Sequence, residues 1–234
     1  VRALSMRGLY AVADPLADIL ISWLDDTDQA ASRAASDGFS IIMSESNLMS
    51  KEKTFAREQV LYRQRFFSVN IPKLHKGMAQ TSQKGAYLLA FAHMIHQVPQ
   101  VAIVNQIDKL FPIIQSSLVQ EMKAENKELV LASLKTIQIL LEGNTKEKMI
   151  GYLSDIVPHL VKWSSCTLPE SVGIRVCAIE CLEELIQYPY DKMFPYRKSI
   201  LEGLEKALGD RKRVVRKAAV RCRNNWFTLT KESK

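Results

Sequence analysis

Apolar residues recur three or four positions apart along most of this chain, which is the spacing of amphipathic helices. Alternating apolar patterns longer than a few residues are absent, so no β-sheet is expected. Five prolines occupy similar surroundings: each precedes a helical apolar pattern, and four follow an apolar residue. They are Pro15, Pro72, Pro112, Pro158 and Pro195, spaced 57, 40, 46 and 37 residues apart.

A polar break and a second amphipathic segment follow each proline-containing segment. The pattern therefore predicts ten helices in five pairs, and a period near forty residues is typical of HEAT or armadillo repeats. We expect an all-α fold, an α-solenoid of about five HEAT-type helix pairs. A proline inside each first helix should bend it, whereas the second helices often begin with Asp, Ser, Asn or Pro, which favour helix starts. The predicted repeats are approximately 8–44, 58–98, 99–143, 144–188 and 189–229.

The first proline interval is the longest because it contains the polar stretch SESNLMSKEKTFAREQ at 44–59. We interpret this stretch as a loop between repeats or an extra helical turn. The chain opens with Val1 rather than Met, and its first segment already has a helical pattern. These features favour a single HEAT-repeat domain over 1–234 that is a fragment of a longer solenoid.

The composition is that of a folded globular protein, with 47% hydrophobic and 24% charged residues. No apolar run approaches the roughly 20 residues of a membrane span, and no secretory signal opens the chain. The four cysteines are too few and too unevenly spaced for a secreted disulfide scaffold. They indicate reduced thiols in the cytosol or the nucleus.

The candidate catalytic and metal-binding residues form no complete site. His93 and His96 lie three positions apart, near one face of a helix, but the sequence offers no third and fourth metal ligand. Cys177 and Cys181 lie among apolar helix positions, where free cysteine packs as a small hydrophobe. Glycine-rich phosphate-binding motifs are absent as well. The sequence predicts neither an enzyme nor a bound cofactor or metal.

The charge of the chain is concentrated near its end. The segment 210–223 holds seven basic residues against one acidic residue, so it accounts for +6 of the net charge of +7. At 100° per residue, one arc of roughly 140° is apolar and should pack on the preceding helix; it consists of Val214, Val215, Ala218, Ala219, Cys222 and Trp226. The opposite arc is basic, and Val220 and Phe227 fall inside it.

Three interpretations of the basic arc remain open: a solvated outer face of a terminal repeat, a protein-binding face, and a nucleic-acid or nuclear-localisation element. The cations interleaved with apolar side chains favour an acidic, partly apolar protein partner. The candidate partner-binding residues are Lys212, Arg213, Arg216, Lys217, Val220, Arg223 and Phe227, with Arg175 and Glu183 as neighbours on the preceding second helix.

The segment GDRKRVVRKAAVRCRNNWF at 209–227 resembles the C-terminus of a family of HEAT-repeat scaffolds. This family belongs to the cytosolic iron–sulfur assembly targeting complex and was first named for methyl methanesulfonate sensitivity and roles in excision repair and transcription. The resemblance identifies Lys212, Arg213, Arg216 and Lys217 as the matching basic cluster, and Trp226 and Phe227 as the matching aromatic end. For Trp226, which lies on the packing arc, a structural role is expected.

The resemblance implies that the chain is the C-terminal domain of a non-catalytic adaptor, cytoplasmic and nuclear. Its expected partners are the small α/β subunit of the complex, a WD40 β-propeller joined through that subunit, and apoprotein clients such as DNA helicases and polymerases. Two alternatives are a HEAT-repeat protein that binds nucleic acid directly and a nuclear-transport-type scaffold. The basic charge counts against the second, and the local concentration of that charge counts against the first.

Overall fold

The computed structural model describes residues 1–44, 61–81, 84–95, 97–98, 102–103, 107–119, 127–142 and 145–229. It divides into two compact units, Val1–Ile103 and Val104–Lys234. The polar stretch predicted as a loop at 44–59 lies, apart from Ser44, outside the described residues. The proposed repeat boundaries stay a prediction.

The first unit is built from α-helices in sequence-adjacent pairs. They are α1 (Arg2–Met6), α2 (Tyr10–Ser22), α3 (Gln29–Met43), α4 (Tyr62–Gln80) and α5 (Lys84–Ile95). Helix α2 packs on α3, and the next pair stacks on this one because α3 contacts α5 and α2 contacts α4. Aromatic side chains fill the space between the pairs, and the rings of Phe39 and Phe66 lie 6.2 Å apart between centroids.

The second unit repeats this arrangement. Its helices are α6 (Ile107–Leu118), α7 (Lys127–Leu141), α8 (Lys146–Met149), α9 (Leu153–Ser164), α10 (Val172–Glu184), α11 (Tyr190–Leu208) and α12 (Arg213–Thr228). The second helices α7, α10 and α12 pack on one another in order, and the first helices α9 and α11 do the same. The described residues contain no strand, so the all-α, HEAT-type prediction is confirmed.

All five prolines of the sequence pattern lie inside the first helix of a pair, in α2, α4, α6, α9 and α11. This confirms the pattern that identified the helix pairs. The side-chain caps at the N-termini of the second helices are less uniform. Asp28 caps α3 by accepting a hydrogen bond from the backbone N–H of Ala30, whereas Lys212 precedes α12 without a side-chain cap.

One hydrogen bond recurs between successive pairs of the second unit. A buried aromatic side chain donates to a backbone carbonyl near the end of a helix one pair earlier. The indole of Trp163 donates to Leu118, the phenol of Tyr188 to Leu141 and the indole of Trp226 to Leu182, over 3.0, 3.2 and 2.9 Å. These partners are 45, 47 and 44 residues apart. Each bond satisfies a helix-end carbonyl that would otherwise lack a partner, so it fixes one pair against the next.

Three further predictions concern the cysteines, the histidines and membrane-spanning helices. All four cysteines are buried and free, as the core interpretation of Cys177 and Cys181 requires. His93 lies at a helix edge with its Nε2 3.3 Å from Asp37, whereas His96 lies outside the described residues. Among the helices described, none combines the length and apolar character of a membrane span.

Candidate protein-binding surface on the last helix

Helix α12 is held against the rest of its unit by one apolar side. Val215, Ala218, Ala219, Cys222 and Trp226 are buried, and this side packs on α10 and α11. Burial, with a smaller contribution from the nearby carboxylate of Glu183, raises the pKa of the Cys222 thiol to about 12. The structural role expected for Trp226 is confirmed, because its ring is fully buried and its N–H is bonded to Leu182.

Val214 is an exception to the predicted packing arc. Its side chain is 62% exposed, so its assignment to the buried side is wrong. The physical reason is its place at the edge of the arc and in the first turn of α12. The buried side there is centred on Val215 and Ala219, about 100° or more around the helix from Val214.

The start of α12 is fixed by a buried ion pair between Arg175 on α10 and Asp210. The guanidinium Nε of Arg175 lies 2.8 Å from a carboxylate oxygen of Asp210. The same guanidinium donates to the carbonyl of Cys166 over 3.0 Å and to the hydroxyl of Ser171 over 2.7 Å. Asp210 also accepts the backbone N–H of Lys212 over 2.7 Å. Arg175 is only 8% exposed, so the structure places it inside the contact between helix pairs rather than on the outer face.

The middle of α12 is tied to α10 through Glu183. The carboxylate of Glu183 accepts hydrogen bonds from the guanidinium of Arg221 over 2.8 and 2.9 Å and from the amide of Asn225 over 2.9 Å. The hydrogen bonds between Arg221 and Glu183 raise the pKa of Arg221 above its ordinary value. Glu183 therefore neutralises one cation of the basic segment, and it sits between the two helices.

The end of α12 is held by Arg197 of α11, which the sequence did not single out. Its guanidinium donates to the backbone carbonyls of Trp226 and Phe227 over 3.1 and 2.7 Å. A cation at this position satisfies helix-end carbonyls and complements the helix dipole. The partners are 29 and 30 residues apart in sequence, so no local pattern could have indicated the contact.

The side of α12 that faces away from these anchors carries the predicted partner-binding residues. Lys212, Arg213, Lys217, Val220 and Phe227 are exposed, and Arg216 and Arg223 are half-buried. We call these seven residues the α12 basic face. They lie on one side of a single helix and the residue before it, so the structure brings them together.

The apolar members of the α12 basic face are Val220 and Phe227, which are 47% and 50% exposed. The guanidinium of Arg223 lies 4.7 Å from the centre of the Phe227 ring, a cation–π contact that orients both groups. Arg216 reaches back to the carbonyls of Asp210 and Arg211 over 2.7 and 3.1 Å. The centre of the face is thus a preformed aromatic and cationic cluster.

The positive charge of this face is not balanced by the helix that carries it. The sequence of α12 contains five basic residues and no Asp or Glu. Within the range that the structure describes, Arg213, Lys217 and Arg223 take part in no ion pair. These three cations can therefore form ion pairs with acidic groups of a partner.

A further exposed aromatic residue lies on α11. Phe194 is 54% exposed, and its ring lies 5.5 Å from that of Tyr190. Arg197, which bonds the carbonyl of Phe227, follows Phe194 by one helical turn. Phe194 directly precedes Pro195 in the sequence, and the helical pattern did not single it out.

The remaining candidate chemistry concerns metal ligands and thiols. Among the described residues, no group of three His, Cys, Asp or Glu side chains could hold a metal ion. The thiol of Cys177 donates to Oε1 of Gln138 over 3.7 Å and that of Cys181 to the carbonyl of Leu134 over 3.5 Å. The neighbouring Cys177 thiol and burial raise the pKa of Cys181. Both thiols are buried.

Comparison with known proteins identifies relatives of the chain. Residues 1–186 match the family model described as RNAPII transcription regulator C-terminal. The chain is 32% identical to an MMS19 nucleotide excision repair protein homolog of Arabidopsis thaliana, in an alignment covering 99% of this chain and 21% of that protein. The homologs of Homo sapiens and Xenopus tropicalis are 30% and 29% identical, over 87% and 97% of this chain and 19% and 21% of theirs.

This chain therefore spans about a fifth of the length of the curated relatives it matches. Helix α12 lies beyond the residues matched by the family model. The alignments with the plant and frog proteins nevertheless extend over almost the whole chain.

Proposed function

Because this chain belongs to the RNAPII transcription regulator C-terminal family, the family of the MMS19 nucleotide excision repair protein homologs, we propose that it is a non-catalytic adaptor. Its partner is the small α/β subunit of the cytosolic iron–sulfur assembly targeting complex, which joins it to a WD40 β-propeller. Through this complex it directs clusters to apoproteins such as DNA helicases and polymerases, in the cytoplasm and the nucleus. The repeat domain over 1–234 supplies the docking surface.

The observation that carries this proposal is the composition of the α12 basic face. Two exposed apolar side chains, Val220 and Phe227, lie among cations on a helix that has no acidic residue. Aromatic residues and arginine are the usual anchors of protein interfaces, whereas scattered lysines alone are not. The pattern suits a partner surface that offers carboxylates around an apolar patch.

The same composition favours protein over nucleic acid as the ligand. Phosphate backbones are recognised by cations, and exposed apolar side chains add nothing to that attraction unless they reach a base. Val220 and Phe227 lie between the cations of the face. A phosphate backbone that contacted these cations would therefore also cover the two apolar side chains without gaining from them. An acidic protein with an apolar patch can pair with the cations and pack on the apolar side chains in one interface.

Three residues outside the face position it. Arg175 fixes the start of α12 through Asp210, Glu183 holds its middle through Arg221, and Arg197 holds its end. We propose that Arg175 and Glu183 contribute to partner binding indirectly, by keeping α12 in place. The direct contacts are made by the seven residues of the α12 basic face.

The test is an affinity measurement with the purified small α/β subunit. The variant Arg213→Glu/Lys217→Glu/Arg223→Glu reverses three cations of the face. The control Lys192→Glu/Lys198→Glu/Lys206→Glu makes the same change of charge at exposed positions of α11. We expect the face variant to bind at least about tenfold more weakly and the control to bind as the wild type does. Equal affinity of the two triple variants would show that the α12 basic face is not part of the interface.

A duplex DNA titration of the same proteins addresses the second candidate. If the face were a nucleic-acid site, wild-type affinity would fall steeply between 50 and 200 mM salt, with a slope set by the number of phosphate contacts, as is typical of such sites. We expect no such binding at low salt. Salt-dependent DNA binding that the face variant abolishes, together with unchanged binding of the small subunit, would favour the nucleic-acid function instead.

A further inference from the structure

A straight row of exposed side chains runs along the side of α12 that points away from the core of its unit. It consists of Arg213, Lys217, Val220, Asn224 and Phe227, which we call the α12 crest. Four of the five belong to the α12 basic face, and Asn224 completes the row. At 100° per residue the five positions fall within an arc of about 80°, whose middle lies about 160° from the middle of the buried side.

The spacing of the crest is that of a helix–helix seam. Its members follow one another at intervals of four, three, four and three residues. This is the a/d spacing with which one helix packs along another. The row is about 21 Å long at the rise of an α-helix, which corresponds to about four turns. A helix of that length can contact every member of the crest.

The chemistry of the crest changes from one end of α12 to the other. Arg213 and Lys217 make its first half cationic, and Lys212 adds an exposed cation just before the helix. In the second half, Val220 and Phe227 are 47% and 50% exposed. A complementary surface therefore offers carboxylates at one end and apolar side chains at the other.

The first turn of α12 gives a second reason to expect carboxylates at that end. The turn contains no acidic residue, and Lys212 precedes it without a side-chain cap. Cations at a helix N-terminus oppose the helix dipole, whereas a carboxylate there complements it. Asp210 accepts the backbone N–H of Lys212, but its carboxylate is already paired with the buried Arg175. A carboxylate of a partner interacts favourably with both the exposed cations and the dipole.

The fold limits the form that the partner segment can take. A peptide strand binds by adding to the edge of a sheet, and the described part of this chain contains no strand. A helix instead binds through side chains spaced as they are along the crest. One flank of α12 is already held on α10, because Arg221 and Asn225 both donate to Glu183. The crest is the line of α12 that an incoming helix can contact.

A second copy of this chain does not complement the crest. Helix α12 carries five basic residues and no acidic one, so two copies that packed crest to crest would bring like charges together. Packed in parallel, Arg213 would face the Arg213 of the other copy. Packed antiparallel, the cationic half would face the apolar half. In neither direction does α12 supply a carboxylate to a cation.

We propose that the α12 crest binds one amphipathic helix of the partner, which lies along α12 with acidic side chains opposite Arg213 and Lys217 and apolar side chains opposite Val220 and Phe227. This inference rests on the proposed function, because the helix belongs to the small α/β subunit. It goes further by assigning the form of the bound segment, its length of about four turns and the direction of its charge gradient.

The charge gradient is tested by the salt dependence of binding to the purified small α/β subunit. Arg213→Gln/Lys217→Gln removes the cations of the crest, and Val220→Ser/Phe227→Ser removes its apolar side chains. At low salt we expect each variant to bind at least about tenfold more weakly than the wild type. Only the first should lose most of the fall in affinity between about 50 and 500 mM salt, because salt screens ion pairs between exposed groups.

The matched control is Lys192→Gln/Lys198→Gln, which removes two exposed cations of α11. It should keep both the affinity and the salt dependence of the wild type. The same salt dependence in the two crest variants would overturn the charge gradient. Unchanged affinity in both of them would contradict the proposed function as well, because the subunit would then bind elsewhere.

Mapped crosslinks test the helical form of the bound segment. A benzophenone side chain is placed at position 213 or at position 227, the protein is irradiated with the small subunit, and the attached residues are identified by mass spectrometry. We expect both products on one helix of the subunit, about fourteen residues apart. Products on two separate elements, or on a strand, would overturn this inference and leave the proposed function intact. Products that join only copies of this chain would contradict both.

Discussion

The guanidinium of Arg175 lies 2.8 Å from the carboxylate of Asp210, and both side chains are almost fully buried where α12 begins. Arg175 also donates to the carbonyl of Cys166 and the hydroxyl of Ser171. One side chain thus joins the loop before α10 to the residue that leads into α12. The orientation of the α12 basic face depends on this buried contact.

Removing Arg175 should destabilise the protein far more than removing an exposed arginine of the same region. Arg175→Met leaves the Asp210 carboxylate buried and unpaired, which costs about 3–5 kcal/mol in free energy of unfolding. Arg221→Met breaks the exposed pair with Glu183 and should cost less than about 1 kcal/mol. Urea unfolding of the two variants measures the difference. Similar losses in both would show that the buried pair does not anchor α12.

The neighbours Trp226 and Phe227 should separate stability from binding. Trp226→Ala removes a fully buried ring and its hydrogen bond to Leu182, at a cost of about 3–5 kcal/mol. Phe227→Ala removes a half-exposed ring and one cation–π contact, so we expect a loss below about 1 kcal/mol. Thermal unfolding measures both, and the small α/β subunit should bind the folded Phe227→Ala variant more weakly. A stable Phe227→Ala variant with wild-type affinity would remove this ring from the interface.

Arg197 and Lys198 form a matched pair for the end of α12. Arg197→Met removes the donor to the carbonyls of Trp226 and Phe227, and we expect it to cost about 1–2 kcal/mol. Amide hydrogen exchange should increase at the last turn of α12, because that turn loses its only described side-chain cap from α11. Lys198→Met, at a largely exposed position, should change neither quantity. Faster exchange in both variants, or in neither, would contradict this role of Arg197.

The sequence predicted the features of this fold that depend on local pattern. The five prolines and the apolar periodicity are properties of single helices, so they identified the first helices and the HEAT-type pairing correctly. The buried side of α12 was predicted for the same reason, except at Val214 in the first turn. The division into two compact units was not predicted, because it depends on contacts that no helical period encodes.

The anchors of the candidate surface depend on contacts between distant residues. Arg175 was predicted as a neighbour of the partner-binding face, but it is buried against Asp210, which lies 35 residues away in the sequence. Arg197 was not predicted because it donates to backbone carbonyls of α12. Every residue has such a carbonyl, so the sequence does not indicate which of them will accept a hydrogen bond.

Stability should fall at alkaline pH partly because of Cys222. Burial raises the pKa of this thiol from 9.0 to about 12 in the folded protein. The unfolded thiol therefore ionises near pH 9 while the folded one stays protonated, so the contribution to stability is complete below pH 9 and is lost as the pH rises towards about 12. Cys222→Ala should flatten the pH dependence of the unfolding free energy over this range.

The control for that measurement is Met193→Ala, a buried substitution on α11 that also creates a cavity but removes no titratable group. It should lower stability at every pH without changing the slope between pH 9 and 12. If Cys222→Ala and Met193→Ala show the same slope as the wild type, ionisation of Cys222 makes no contribution.

Site-specific photo-crosslinking tests the central claim most directly. A benzophenone side chain is placed at Phe227, within the α12 basic face, or at Lys198, which is exposed on α11 outside that face. Each protein is mixed with the purified small α/β subunit and the β-propeller and then irradiated. We expect a covalent product with the small subunit from position 227 and none from position 198. Crosslinking from position 198 but not from position 227, in proteins that both bind the subunit, would contradict the assignment of α12 as the docking surface.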